Sequence, residues 1–160
     1  MVHTNGEVTV LDDRPGVLTS RQRATLRAMT ERSKLAHDLV TAFADRYPAF
    51  PDEAVNARER ELVAMRSLLA RYGIADPASR RHAGGFAGSG TRIDYRRLLV
   101  RGSAGLAAAL DVTARLASET IVVVPAALSG LTARDVRHAY LDLLAGAREQ
   151  IRLVQSCWIR

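Results

Sequence analysis

The 160-residue chain holds a single cysteine, Cys157, which excludes an internal disulfide and any cysteine-pair zinc site. A reducing compartment, the cytoplasm, is the expectation that follows. Aromatic residues are scarce, with three Phe, four Tyr and one Trp, so the core must be built mainly from aliphatic side chains. No apolar run approaches the length of a membrane span, which leaves no place for a transmembrane helix. The opening residues, MVHTNGEVTVLDDRPG, lack the basic start and apolar stretch of a secretory signal. There is no Gly-x-Ser-x-Gly elbow, and no strand precedes the glycines at 84, 85, 88 and 90. Hydrolase and phosphate-loop chemistry therefore have no sequence support.

Lysine is nearly absent as well. Of the 23 basic residues only Lys34 is a lysine and 22 are arginine, giving a net charge of +6. The arginines are spread along the chain instead of clustered, which reads as a codon-driven bias and disfavours a nucleic-acid partner. Arg21, Arg23 and Arg27 at the start of the first helix are the place where an acidic partner would dock.

What is abundant is apolar periodicity. Residues 1–17 are polar and broken by Gly6, Pro15 and Gly16, and read as a flexible arm; residues 18–160 read as one helical domain. Thr19 or Ser20 can cap a helix that runs to Tyr47-Pro48, with a seam of Leu26, Met29, Ser33, Ala36, Val40 and Phe43. A second helix is expected from Asp52 to Tyr72, stopped by Gly73, with Val55, Arg58, Leu62, Met65 and Leu69 along its seam. Residues 78–90 read as a surface loop, and 92–100 as a short helix ending before a Ser103 cap. The next seam is Leu106, Leu110, Thr113, Ala117, Thr120 and Val124, with Ile121 to Val124 as a buried last turn before Pro125. After a Thr132 cap the last helix carries Val136, Tyr140, Leu143, Ala147, Gln150 and Val154 through about Cys157. This pattern predicts an all-α, antiparallel four-helix bundle with one short extra helix.

The polar or small interruptions of the four seams fall at corresponding depths: Ser33, Arg58 with Glu61, Ala117 and Gln150. An Arg and a Glu inside a bundle cost several kcal/mol of desolvation unless they pair and their hydrogen bonds are completed. Ser33 and Gln150 have the right groups to complete them.

Met29-Thr-Glu-Arg-Ser-Lys-Leu-Ala-His-Asp38, Leu68-Leu-Ala-Arg-Tyr-Gly-Ile-Ala-Asp-Pro77, Arg101-Gly-Ser-Ala104 and Val136 to Gly146 together resemble an uncharacterised bacterial family of ferritin-like bundles. The resemblance covers roughly 18–156 and implies a di-metal centre of inward Glu residues with Glu-x-x-His pairs. Here the matching positions are Ser33, Arg58 with Glu61, Ala117 with Ser118, and Gln150. A hard dication needs carboxylate or imidazole donors, and Arg58 places a fixed positive charge where it would sit. The resemblance thus carries the fold and not the metal, and no cofactor is expected.

Three functions remain from these residues. The first is a metal-free site for a small carboxylate or enolate-type ligand, with Arg58 as anion stabiliser, Glu61 as acid or base, and Ser33, Ala117, Ala147 and Gln150 around the ligand. It would support an isomerisation or cyclisation. The second is a non-enzymatic interaction bundle, a homo-oligomer included, with Trp158 and Ile159 as docking residues. The third keeps a metal on displaced ligands among Glu31, Glu61, Glu119, Glu149, His37 and His138. Against it, Glu31, Glu119 and Glu149 lie off the seams, and His37 beside Asp38 reads as a surface or interface histidine.

Overall fold

A computed structural model describes residues 14–78 and 81–159. Among these residues there are five helices and no strand: α1 (Ser20–Arg46), α2 (Asp52–Arg71), α3 (Ser89–Gly102), α4 (Leu106–Leu128) and α5 (Arg134–Trp158). None is long and apolar enough to cross a membrane. Of the expected N-terminal arm, residues 1–13 lie outside the described residues. At its end the Gly16 amide donates to Tyr72 Oη at 2.9 Å, and its bare Cα lies against Ala133, where a Cβ would collide.

Local chemistry sets most of the boundaries. Thr19 caps α1 through a reciprocal box in which the Gln22 amide donates to Thr19 Oγ1 and the Thr19 amide to Gln22 Oε1. Pro48 pushes Tyr47 into an extended conformation, and α1 ends one residue earlier. Gly73, at φ +62°, closes α2 in a Schellman turn whose Ile74 amide reaches back to Leu69 O at 2.9 Å.

Several expected boundaries differ. α3 runs from Ser89 to Gly102, so it begins inside the stretch expected as a loop to residue 90 and exceeds the expected 92–100 at both ends. Ser103 does not cap α4; its hydroxyl donates backwards to Leu99 O at 2.7 Å and closes α3, and α4 starts after Gly105. Thr132 stands one residue too early for α5, whose cap position is Ala133. Pro125 does not end α4, which continues to Leu128. Proline gives up its bond to the fourth residue back and its ring crowds that carbonyl, but with only three residues of α4 beyond it the disturbance stays at the helix end. Val122 is 75% exposed, so the β-branched run before Pro125 is buried on one side only.

α1 packs on α2, α3 and α4, while α5 packs on α2 and α4, so the four long helices close a ring of contacts with α3 laid over α1 and α4. The α5 seam is buried as expected at all six positions, Val136, Tyr140, Leu143, Ala147, Gln150 and Val154. The core comes in two clusters. One holds Leu39, Val40 and Phe43 of α1, Ala54 of α2, Leu110 and Val112 of α4 and Val154 of α5. The other holds Leu26 and Met29 of α1, Met65 and Leu69 of α2, Val124 of α4 and Val136 and Tyr140 of α5. Each large side chain buried in them contributes about 1.5–3 kcal/mol. On every long helix the polar or small residues singled out by the seams lie between the two clusters: Ser33, Arg58, Ala117 and Gln150 are all buried.

Candidate functional site

Arg58 is 2% exposed, and its Nη1 donates to Glu61 Oε2 at 2.9 Å across one turn of α2. The rest of the pair's hydrogen-bonding capacity is unused: Arg58 Nε and Nη2 and Glu61 Oε1 are buried without a partner. Burial pushes the Glu61 carboxyl above its ordinary value, outweighing the opposing pull of Arg58. Glu61 Oε1 lies against the backbone of α5 at Gly146, where a Cβ would collide with it.

The expected helpers do not hydrogen-bond this pair. Ser33 Oγ donates to Met29 O at 3.0 Å within its own helix, and Gln150 Nε2 donates to Ala54 O at 3.2 Å. Ser33 and Arg58 do line one cavity, of about 10 Å³, together with Arg32, Thr120, Leu116 and Leu143. That is the room of about one water molecule. Ala117 and Ala147 are fully buried and are not part of its lining.

On its other side Glu61 forms the inner wall of a much larger groove between α2 and α5, about 320 Å³. Met65, Leu68 and Leu143 give it an apolar floor, and Arg71, Asp135, His138 and Asp142 complete its lining. Leu143 separates the groove from the cavity and lines both. Sequence reasoning picked out Glu61 from its spacing to Arg58. The groove it faces depends on how α5 sits against α2, which no local pattern encodes.

A second polar cluster was missed. Lys34 is 4% exposed; its Nζ pairs with Asp38 Oδ2, donates to His82 O at 3.0 Å and stands 4.4 Å from the centre of the Phe86 ring. Asp38 also accepts from the Gly84 amide at 3.0 Å and contacts His37 Nδ1 at 3.1 Å, and His37 Nε2 reaches Glu59 Oε2 at 2.6 Å. Burial works to raise the Asp38 pKa, but hydrogen bonds from His37, Lys34 and Gly84 outweigh it and hold the carboxyl below its usual range. His37 is raised, chiefly by its hydrogen bond to Asp38, against burial and with help from Glu59. His37 is therefore clamped between two carboxylates instead of standing free on a surface. The glycine loop also packs inward, with Phe86 fully buried. The available signal was the lone lysine four residues before an aspartate.

The displaced-ligand residues do not converge. Glu31 accepts from the Gly88 amide, Glu119 pairs with Arg32, Glu149 with Arg152, and His138 with Asp142. Among the described residues no three His, Cys, Asp or Glu side chains form a metal-holding group. The Arg58 layer offers one carboxylate, already bonded to a guanidinium, and such a donor set does not fit the di-metal centre of ferritin-like bundles.

The crystal structure of a hypothetical protein from Methanococcus jannaschii is similar to this chain, with a TM-score of 0.80 and 23% identity over 87% of this chain and 80% of that one. At that identity the likeness speaks for the fold alone. No curated protein matches the chain. The profile of an uncharacterized protein domain, DUF2202, matches residues 22–156, and the chain belongs to that family.

Proposed function

We propose that the protein is a cytoplasmic, metal-free member of the ferritin-like bundles that binds a small carbonyl compound in the α2–α5 groove and moves a proton on it. The order of the two core clusters supports an antiparallel four-helix arrangement: it reverses from α1 to α2 and again from α4 to α5. The observation that carries the function is the position of Glu61, which joins a buried arginine to the wall of a groove of about 320 Å³.

Both signs of charge line the groove, with Arg71 paired to Asp135 at 3.2 Å and His138 beside Asp142, so the ligand class is set by the apolar floor, which suits a neutral carbonyl compound. The enolate-type reaction keeps its charge inside. With a β,γ-unsaturated carbonyl compound, Glu61 takes a proton from the α-carbon, the electron pair spreads over the dienolate with the charge on the carbonyl oxygen, and the same proton returns to the γ-carbon as the double bond moves into conjugation. The sum is an isomerisation that needs no oxidant. Arg58, behind Glu61, is a positioning residue that fixes the carboxylate and keeps it ionisable despite its burial.

The test is hydrogen exchange of a small C–H acid, acetylacetone, in D2O followed by proton NMR. The purified protein is expected to accelerate exchange, and Glu61→Gln to lose about 10²-fold or more of that acceleration. Equal acceleration by wild type and Glu61→Gln rejects the proposal.

A second reading, an interaction or self-associating bundle, is favoured by exposed Trp158 (56%) and Ile159 (86%) at the end of α5. Light scattering of wild type against Trp158→Ser separates it: a dimer lost in the variant supports it, and a monomer in both rejects self-association.

A further inference from the structure

We propose that the small cavity in the Arg58 layer is a binding site for a monatomic anion of the halide class, with chloride as its occupant. The inference stands apart from the groove reading, since it uses the edge of Arg58 that Glu61 leaves free.

The charged side chains lining the cavity are both cationic, Arg32 and Arg58; no carboxylate lines it. Their carboxylate partners bind elsewhere on each guanidinium. Arg58 commits Nη1 to Glu61, and Arg32 commits Nη2 to Glu119. Left over are Arg58 Nε, Arg58 Nη2 and Arg32 Nε, all buried and without partners. In a planar guanidinium Nε and Nη2 make the side edge, whose two N–H bonds run parallel and form the fork that binds anions. The third donor comes from the neighbouring helix. Such buried donors are costly to leave unmade.

Size and valence select among occupants. A cavity of about 10 Å³ is far too small for carboxylates, phosphate and sulfate; it has the room of about one water molecule, and chloride, somewhat larger, enters as the one-third-exposed Arg32 side chain shifts outward. Three nitrogen donors exceed the two lone pairs a water offers, whereas a halide accepts from all sides. Ser33 and Thr120, whose hydroxyls now donate to Met29 O and Leu116 O, complete the lining and can rotate toward an anion. A cation is excluded by the same two guanidiniums. The layer thus has the form of an ion site of reversed sign.

The experiment is thermal unfolding of the full chain in sodium chloride against sodium acetate at equal ionic strength, together with crystals grown in sodium bromide. Chloride is expected to raise the midpoint saturably where acetate does not, and bromide to give one anomalous peak between Arg32 and Arg58. Arg32→Gln, at a partly exposed position that tolerates change, should raise the half-saturating chloride concentration about tenfold, the loss of one charge-assisted hydrogen bond. Arg58→Met with Glu61→Leu, which leaves no orphaned carboxylate, should abolish the chloride increment. Identical melts in the two salts, or bromide crystals with no anomalous peak in the cavity, overturn the proposal.

Discussion

Lys34→Met is the most informative substitution for the stability of this fold, because it removes one positive charge and keeps the length of the aliphatic stem. In the native chain the ammonium serves Asp38, His82 O and the face of Phe86. Breaking a buried ion pair from one side costs about 3–5 kcal/mol. Asp38 keeps the Gly84 amide and His37 as partners, which places the loss at the low end, about 3 kcal/mol. For a domain of this size that is a fall of roughly 6–12 °C in midpoint. Urea unfolding followed by circular dichroism measures the global loss. Hydrogen exchange at the Gly84 amide measures the local one, and its protection should fall with the loosening of the loop. Lys34→Met with Asp38→Leu should recover part of the loss, since the orphaned carboxylate goes with its partner. A single-variant loss below about 1 kcal/mol, with Gly84 protection unchanged, would falsify the claim that this pair ties the glycine loop to α1.

Other consequences follow from single contacts. His37 has a folded-state pKa above its ordinary 6.5, so its contribution to stability is complete below that pH and is lost as pH rises through the folded value. Wild-type urea midpoints should therefore decline between pH 6 and 8, and His37→Gln should flatten that slope. Gly146→Ala places a methyl group on Glu61 Oε1; the carboxylate tail swings aside, and the gain of about 1 kcal/mol in helix propensity offsets the disturbance. Its melting point should stay near wild type while acetylacetone exchange drops. Gly102→Ala drives a methyl group into the ring of Phe43, which is fully buried and has nowhere to go. A loss of about 1–3 kcal/mol in urea unfolding is expected, partly restored by Phe43→Leu.

The long helices were legible because their signals are local. Every α5 seam residue is buried, and Thr19, Pro48 and Gly73 act where their chemistry says they should. The failures share a cause too. Ser103 and Thr132 are adequate capping side chains, but the chain path chose another residue to lead each helix, and Pro125 is tolerated by position. Arg58 and Glu61 were legible as a pair because three residues on a helix bring them together. What surrounds them was not: Leu116 and Leu143 line the small cavity beside Arg58, while Ala117 and Ala147 are buried away from it. His37 was misjudged for a related reason. The carboxylate on its far side is on α2, and the glycine loop that seals the cluster is more than forty residues away.

The scarcity of lysine gains a physical meaning at this cluster. A chain that uses arginine at 22 of 23 basic positions uses lysine at the one buried between an aspartate, a backbone carbonyl and an aromatic face. Arginine dominates on surfaces, where a broad fork finds carboxylates at many angles, as Arg66 does with Asp76 and Arg101 with Asp111. At 34 the space is closed by Phe86 and the Gly84 turn, and a compact ammonium supplies three donors in directions a planar guanidinium cannot match. Lys34→Arg conserves charge, so any loss it causes reports shape alone. Extra volume in a filled core costs about 1–3 kcal/mol, which should appear in urea unfolding alongside increased exchange at Gly84. A Lys34→Arg protein as stable as wild type would mean that the position selects only for charge, and that the lone lysine is an accident of composition.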